Sequence, residues 1–152
     1  MPGWETPGGF KVALRPARPE DESIIFHAWL LAHRESGDWP KRLSSRRYFA
    51  EHKVTIMKIL ARAQTVVACN ADREWQVFGF IVFEKPRILH WVFVKQIYRR
   101  EGIAKQLALE ASQSLDRARL DTVCSHWTTA AAMLREHGWH LRFDPFIVEN
   151  LS

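Results

Sequence analysis

The chain has 152 residues, a length typical of one domain with a single hydrophobic core. Its hydrophobic fraction of 47%, with seven tryptophans and nine phenylalanines, excludes the class of disordered chains. A formal net charge of +5 favours an acidic partner, and charge alone does not separate nucleic acid from a nucleotide or coenzyme A.

Two features of the sequence concern the cellular compartment. Cys69 and Cys124 lie in separate apolar runs, which predicts buried free thiols in a reducing compartment, with a disulfide as the open alternative. Residues 1–9 lack the apolar stretch of a signal peptide, and no apolar run has the length of a membrane span. We therefore expect a cytoplasmic protein that does not contact a membrane.

The N-terminal part predicts a tail, a strand and a helix. Residues 1–9 are rich in proline and glycine, so we expect a flexible tail followed by one domain over residues 10–152. Residues 10–15 alternate between apolar and polar, which indicates a strand. Pro19 suits the first position of a helix that runs to about Arg34.

The middle of the chain predicts a second helix and two strands. Ser44 or Ser45 is a suitable N-cap for that helix, whose first part is basic. Residues 65–70 and 75–84 predict two strands joined by a hairpin connection. Gly79, inside the second of these strands, indicates a bulge or a close approach of two backbones.

The stretch from Leu89 to Ala104 predicts a strand, a basic turn and a helix. Its apolar run is rich in β-branched and aromatic residues, as in a buried central strand. A helix follows from Gly102, with apolar residues four apart on one face. Arg99 and Arg100 precede that helix, whose first backbone N–H groups have no intrahelical acceptor. The arrangement predicts an anion site at the helix N-terminus.

The C-terminal part predicts a strand, a fourth helix and a closing hairpin. The strand covers residues 123–127, and the helix covers residues 130–137 and stops at Gly138. The hairpin would pair residues 139–143 with residues 146–148.

Residues 99–104, with the sequence Arg-Arg-Glu-Gly-Ile-Ala, resemble the R/Q-x-x-G-x-G/A signature of the GCN5-related N-acetyltransferases, the GNAT superfamily. Val94 stands where the family's central strand ends, and residues 15–21 match the family's opening run. The resemblance covers nearly the whole chain from Arg15 onward and extends to small GNAT-like proteins of phages and prophages. It implies an α/β fold with a mixed, mostly antiparallel sheet of six to seven strands, splayed at its centre and flanked by four helices.

The same resemblance implies acetyl-CoA as co-substrate, with its pantetheine arm along the central strand and its pyrophosphate on the turn. The cofactor-binding residues that it implies are Val92, Phe93, Val94, Gln96, Arg99, Arg100, Glu101, Gly102, Ile103, Ala104 and Thr128.

Three residues are candidates for proton transfer. His90 is the first candidate base, because it precedes Val94 by four residues and strand alternation would place it on the face of Val92 and Val94. Glu84, at a strand end, is the second candidate. Ser125 is a candidate proton donor, and alternation would let only one of Ser125 and His126 face the cleft.

One departure from the family concerns its usual general acid, a tyrosine on the fourth helix. Leu134 occupies that position here, so another group must protonate the thiolate, or the thiolate departs unaided, or the protein does not catalyse this reaction.

The resemblance also implies that the acceptor pocket borders the first two helices, and the candidate residues that it implies there are Trp39, Arg42, Arg46, Arg47 and Tyr48. The sequence contains no phosphate-loop motif, and its seven histidines and two cysteines show no paired metal spacing, so we expect no metal.

The function that follows is transfer of an acetyl group from CoA to an amine by direct attack. One alternative is a phage-type GNAT-like enzyme that modifies DNA bases, because the segment from Lys41 to Lys53 is basic and could bind nucleic acid. Another is a non-catalytic CoA-binding module. The acceptor stays open, and so does a homodimer.

Overall fold

The computed structural model describes residues 3–36, 44–84, 88–112, 122–126, 129–136, 141–144 and 147. The strands are β1 (Trp4–Glu5), β2 (Lys11–Pro16), β3 (Gln64–Asn70), β4 (Val77–Glu84), β5 (Ile88–Val94), β6 (Thr122–Cys124) and β7 (Leu141–Phe143). The α-helices within these residues are α1 (Glu22–Ser36), α2 (Ser45–Arg62), α3 (Ile103–Ser112) and α4 (Thr129–Glu136).

The seven strands form one sheet in which spatial order follows chain order, from β1 to β7. Neighbouring strands are antiparallel from β1 through β5. The last two pairs, β5 with β6 and β6 with β7, are parallel. The predicted α/β class, with a mixed and mostly antiparallel sheet and four helices, is therefore confirmed.

Helices cover both faces of this sheet and define two hydrophobic clusters. On one face α3 and α4 pack through Ile103, Leu107 and Leu134. On the other face α1 and α2 pack through Trp29 and Ile56. All eight residues of β4 are buried, which explains why this strand is a continuous apolar run rather than an alternating one.

Local signals explain where the first two helices begin. Ser44 caps α2, since its Oγ accepts a hydrogen bond from the backbone N–H of Arg47 at 3.3 Å. Pro19 begins a 3-10 turn over Pro19–Asp21, and α1 starts only afterwards.

The structure differs from the expected flexible tail at the N-terminus and from the expected hairpin at the C-terminus. The predicted tail contains β1, which pairs with β2, so residues 4 and 5 belong to the sheet. The domain boundary at residue 10 stays a prediction. At the other end, Ile147 lies outside any strand and its N–H bonds to the carbonyl of Asp144 at 3.3 Å; residues 146 and 148 of the predicted hairpin partner lie outside the described residues.

Both cysteines are buried and free, as the sequence predicts. Among the described helices, none combines the length and the apolar character that a membrane crossing requires.

A buried ion pair joins β2 to the start of α1. The guanidinium of Arg15 donates to both oxygens of Asp21, at 2.6 and 3.0 Å, and the two side chains are only 10% and 6% exposed. The backbone N–H of Arg18 donates to the same carboxylate at 2.7 Å. Burial alone would raise the pKa of Asp21, but these hydrogen bonds and the Arg15 charge outweigh it, so the pKa lies below its usual value.

We expect Asp21→Asn to lower the free energy of unfolding at pH 7 by about 2–4 kcal/mol, because it leaves the buried guanidinium without its counter-charge. The carboxylate contributes above its unfolded pKa of about 3.9, and the contribution is lost as pH falls through the lower folded pKa. Urea unfolding of the parent and of Asp21→Asn, at pH 7 and near pH 3, measures the two free energies of unfolding. The difference between them should be smaller at the lower pH.

The matched control is Asp72→Asn, which removes the exposed pair with Lys11 at 3.5 Å and should cost less than about 0.5 kcal/mol. Equal losses in both variants would contradict the role given to Asp21.

Candidate functional site

The site begins where β5 and β6 separate. Within the described residues, β6 pairs with β5 only at Ile88 and Leu89, and the N–H of Ser125 still reaches the carbonyl of Leu89 at 3.1 Å. β6 ends at Cys124, whereas β5 continues to Val94. The expected splay between the central strands is therefore present.

The edge of β5 beyond this point offers backbone groups to the gap. The N–H of Lys95 donates to the carbonyl of Phe78 on the β4 side, at 2.9 Å. Because successive residues of a strand direct these groups to opposite edges, those of Val92 and Val94 face the other way, toward the gap. The Val94 carbonyl accepts a hydrogen bond from Nε of Arg99 at 2.9 Å, which ties the loop to the strand end.

The loop turns into α3 through two residues with left-handed backbone. Arg100 has φ of 65° and Gly102 has φ of 80°, and a glycine takes this conformation without strain. The N–H of Gln106 bonds to the carbonyl of Gly102 at 3.1 Å, which closes the first turn of the helix. The N–H groups of Ile103 to Lys105 precede that bond and have no acceptor within the helix.

The strand edge and the helix N-terminus line one cavity of about 400 Å³. Its wall also includes side chains from α1 and α4. The lining residues are Ala32, Trp91, Val92, Phe93, Val94, Tyr98, Arg99, Arg100, Gly102, Ile103, Ala104, Lys105 and Met133. Eight of the predicted cofactor residues therefore meet at this cavity, namely Val92, Phe93, Val94, Arg99, Arg100, Gly102, Ile103 and Ala104.

Two predicted cofactor residues lie elsewhere. Gln96 is exposed in a 3-10 turn after β5, so it is not part of the free strand edge. The carboxylate of Glu101 accepts a hydrogen bond from the N–H of Gly8 at 2.8 Å, so it holds the N-terminal segment against the loop. Thr128 lies outside the described residues.

The three predicted catalytic side chains form one buried hydrogen-bonded group. His90 is 0% exposed, and its Nδ1 lies 2.7 Å from Oγ of Ser125. Its Nε2 lies 3.0 Å from Oε1 of Glu84, whose other oxygen is 3.4 Å from Nε of Arg62. Glu84 lies at the end of β4 but is only 9% exposed, so it is a buried hydrogen-bond partner of His90.

A bulge at His90 overturns its predicted orientation. Val82 pairs with Trp91 and Phe83 with Leu89, so His90 has no partner across the ladder. Leu89 and Val92 consequently both belong to the cluster under α3 and α4, and Trp91 to the cluster under α1 and α2.

His90 reaches Glu84 and through it Arg62 on α2. It therefore does not share a face with Val92 and Val94, because the extra residue resets the alternation.

Ser125 and His126 also depart from alternation, since both follow the end of β6 in a bend. Their side chains are buried and joined, with Ser125 Oγ 2.9 Å from Nδ1 of His126. Neither residue lines the cavity at the free edge of β5, so the prediction that only one of them faces the cleft stays a prediction. The other ring nitrogen of His126, Nε2, lies 3.3 Å from Nε2 of His52.

The structure brings together three histidines that no sequence motif connects. His33 of α1, His52 of α2 and His126 each offer a ring nitrogen, and these atoms lie within 4.8 Å of one another. The rings of His33 and His52 stack at 4.3 Å between centroids. His33 and His52 are 19 residues apart and His52 and His126 are 74 apart, so no sequence motif connects them. Only the packing of both helices on the sheet could have revealed the group.

Burial keeps these rings uncharged near neutral pH. It lowers the pKa of His33 to about 3 and that of His52 to about 4, with the neighbouring His52 adding to the shift at His33. The pKa of His126 lies well below its ordinary value for the same reason. Burial also lowers the pKa of His90, although the Glu84 carboxylate acts in the opposite direction.

The predicted acceptor residues have different positions. Trp39 and Arg42 lie outside the described residues, and Arg46 and Arg47 are exposed on α2. Tyr48 is 1% exposed, and its hydroxyl donates to the carbonyl of Leu30 at 2.6 Å. Burial also raises its pKa to about 12. Tyr48 is therefore a packing residue in this structure, and its hydroxyl is not available to contact the substrate that would accept the acetyl group.

The fourth helix contributes no hydroxyl from its expected position. Leu134 is 3% exposed and packs in the core, whereas its neighbour Met133 lines the cavity. Tyr98 packs against Phe78, with its hydroxyl 3.0 Å from Nε2 of Gln76.

A splayed pair of central strands, with a basic turn and a helix N-terminus at their open end, defines an acyltransferase-type fold. The family model described as the acetyltransferase (GNAT) domain matches residues 47–151. The chain therefore belongs to this family of acetyltransferases.

Three solved structures illustrate the shared fold. A protein from Pyrococcus furiosus described as an acetyl transferase is 16% identical, with a TM-score of 0.65 over 86% of this chain and 94% of its own. A GCN5-related N-acetyltransferase from Rhodopseudomonas palustris is 19% identical, with a TM-score of 0.57 over 91% and 83%. YjaB from Escherichia coli is 21% identical, with a TM-score of 0.53 over 70% and 67%. A comparison with curated proteins finds no match.

Gly79 fixes the position of the free strand edge. A Cβ on Gly79 would meet the carbonyl oxygen of Phe93 and, at 3.0 Å, the Cα of Val94, and both belong to backbone. This is the close approach that the sequence predicts, and a register shift between Ala68 and Cys69 lies opposite. By contrast, a Cβ on Gly102 would meet no atom within 4 Å.

We expect Gly79→Ala to destabilise the protein by about 2–3 kcal/mol, because backbone atoms of β5 cannot yield as a flexible side chain would. Gly102→Ala should cost only about 1 kcal/mol, since it adds backbone strain without a clash. Urea unfolding of the two variants measures both values. A smaller loss for Gly79→Ala than for Gly102→Ala would contradict the proposed packing.

Proposed function

We propose that the protein transfers an acetyl group from acetyl-CoA to an amine by direct attack. The observation that carries the proposal is the single cavity that joins the free backbone edge at Val92 and Val94 to the N-terminal N–H groups of α3. An extended pantetheine arm can bond to such an edge as an added strand does. Membership of the acetyltransferase family supports the choice of donor.

The turn supplies what a diphosphate needs. The N–H groups of Ile103, Ala104 and Lys105 face no helical acceptor, and the helix dipole adds partial positive charge there. Arg100 and Lys105 add full charges at the same cavity. Arg99 acts differently, because its guanidinium is held by the Val94 carbonyl and so fixes the loop to β5.

Proton removal from the amine is assigned to the group of His90, Ser125 and Glu84. Both ring nitrogens of His90 are already engaged, and the ring has no exposure. His90 therefore acts through the Ser125 hydroxyl. As the amine nitrogen bonds to the acetyl carbon, the thioester C–S bond breaks and the CoA thiolate leaves unaided, since Leu134 offers no proton. The amine proton passes to Oγ of Ser125 while the Ser125 proton passes to Nδ1 of His90, and Glu84 accepts a hydrogen bond from Nε2 of the resulting imidazolium.

A second candidate is a non-catalytic CoA-binding module, which the buried Leu134 favours because it removes the family's usual general acid. Thiol release from acetyl-CoA separates the two. Release above the blank with any amine supports the enzyme, and binding of acetyl-CoA without release across amine classes supports the module.

We expect Arg100→Ala to weaken acetyl-CoA binding about tenfold, because it removes a charge from the phosphate end of the cavity. Calorimetric titration at two salt concentrations measures this, and the loss should be smaller at the higher concentration. Arg73→Ala, an exposed arginine in the β3–β4 connection, is the control and should bind as the parent does. Absence of acetyl-CoA binding by the parent would overturn the proposed function.

We expect His90→Ala and Ser125→Ala to lower turnover by roughly 10²-fold while acetyl-CoA affinity stays unchanged. The exposed His27→Ala serves as the control. Circular dichroism and acetyl-CoA titration of each variant establish that the fold is retained. Unchanged turnover in either variant would remove that residue from the mechanism, and an acetylated Ser125 in the parent would replace direct attack by a covalent route.

A further inference from the structure

We propose that His33, His52 and His126 bind a divalent transition metal ion, with Zn²⁺ as the first choice, and leave one coordination position open. The three residues come from α1, from α2 and from the bend after β6, so the ion would connect both helices to the end of the sheet. Imidazole nitrogen is a preferred ligand of Zn²⁺. Three protein ligands and one open position are typical of zinc sites that also bind a water or a substrate.

The spacing of the ring nitrogens fits such an ion. Zinc–nitrogen bonds of about 2.0–2.1 Å at a tetrahedral angle separate two ligand nitrogens by about 3.3–3.4 Å. Nε2 of His52 and Nε2 of His126 are 3.3 Å apart. The ligand atoms of all three histidines lie within 4.8 Å of one another.

The hydrogen-bond chain sets the direction in which His126 presents its lone pair. If Glu84 is ionised it can only accept, so His90 donates from Nε2 and accepts at Nδ1. Ser125 then donates its proton to His90 and accepts from Nδ1 of His126.

Nε2 of His126 is left as an acceptor aimed at His52. Either a proton on His52 or a cation must satisfy it.

The same chain gives His126 the support that a metal ligand has. Metal-bound histidines commonly donate their second ring N–H to a neighbouring oxygen, which fixes the tautomer and the ring orientation. Oγ of Ser125, at 2.9 Å from Nδ1 of His126, occupies that place.

The test uses the full chain without an added histidine tag, first stripped with a chelator. We expect Zn²⁺ to bind at one equivalent, and a saturating excess to raise Tm by about 5 °C or more. Co²⁺ as a spectroscopic probe should give the visible ligand-field bands of a tetrahedral site. These readouts do not depend on acetyl-CoA or on turnover, so their failure is distinguishable from failure of the proposed function.

Two sets of variants locate the site. His52→Ala should weaken Zn²⁺ binding by at least about 100-fold, whereas the exposed His27→Ala should leave it unchanged. Ser125→Ala should weaken it by about tenfold, because His126 loses the oxygen that orients it. Should His52→Ala unfold the chain, His33→Gln and Ser125→Ala still decide the question.

Absence of a Tm shift and of Co²⁺ bands in the parent would overturn the proposal and leave a proton between His52 and His126. Equal affinity in the parent and in the folded histidine variants would also overturn it.

Discussion

The separation of β5 from β6 after Leu89 determines what the rest of the structure can do. β5 is paired with β4 along nearly its whole length, so its position is fixed from one side. On the other side it pairs with β6 at only two described positions. The backbone groups of Val92 and Val94 are therefore held rigidly and still lack a strand partner. A rigid edge of this kind can bind an extended ligand without the entropic cost of first ordering its own backbone.

The bulge at His90 divides the chemistry between the two faces of the sheet. Val92 and Val94 lie on the face of α3, where the basic turn and the cavity are, while His90 and Glu84 belong to the face of α2. The insertion of a single residue into β5 is enough to create this arrangement, because it turns one side chain across the sheet.

The sequence predicted the features that depend on local pattern. Residues 99–104 follow an apolar strand and begin an amphipathic helix, so the turn could be found without coordinates. Gly79 was informative because a glycine inside a buried strand has few explanations. The orientation of His90 could not be predicted, since β5 is an almost wholly apolar run with no alternation that a bulge could visibly interrupt. The histidine group could not be predicted either, because His33, His52 and His126 meet only through packing of separate elements.

The direction of the hydrogen bonds from Glu84 through His90 and Ser125 to His126 links the candidate base to the histidine group. Nε of Arg62 lies 3.4 Å from Oε2 of Glu84 at one end, and with Glu84 accepting from Nε2 of His90 each later member has one arrangement of donors and acceptors. A proton that reaches Ser125 can pass to His90, but it cannot move toward His126 without turning that ring's N–H away. A metal ion on Nε2 of His126 would fix this tautomer and strengthen the direction of transfer. The contacts that would orient His126 as a ligand in the proposed metal site are therefore the same ones that leave Nδ1 of His90 as an acceptor.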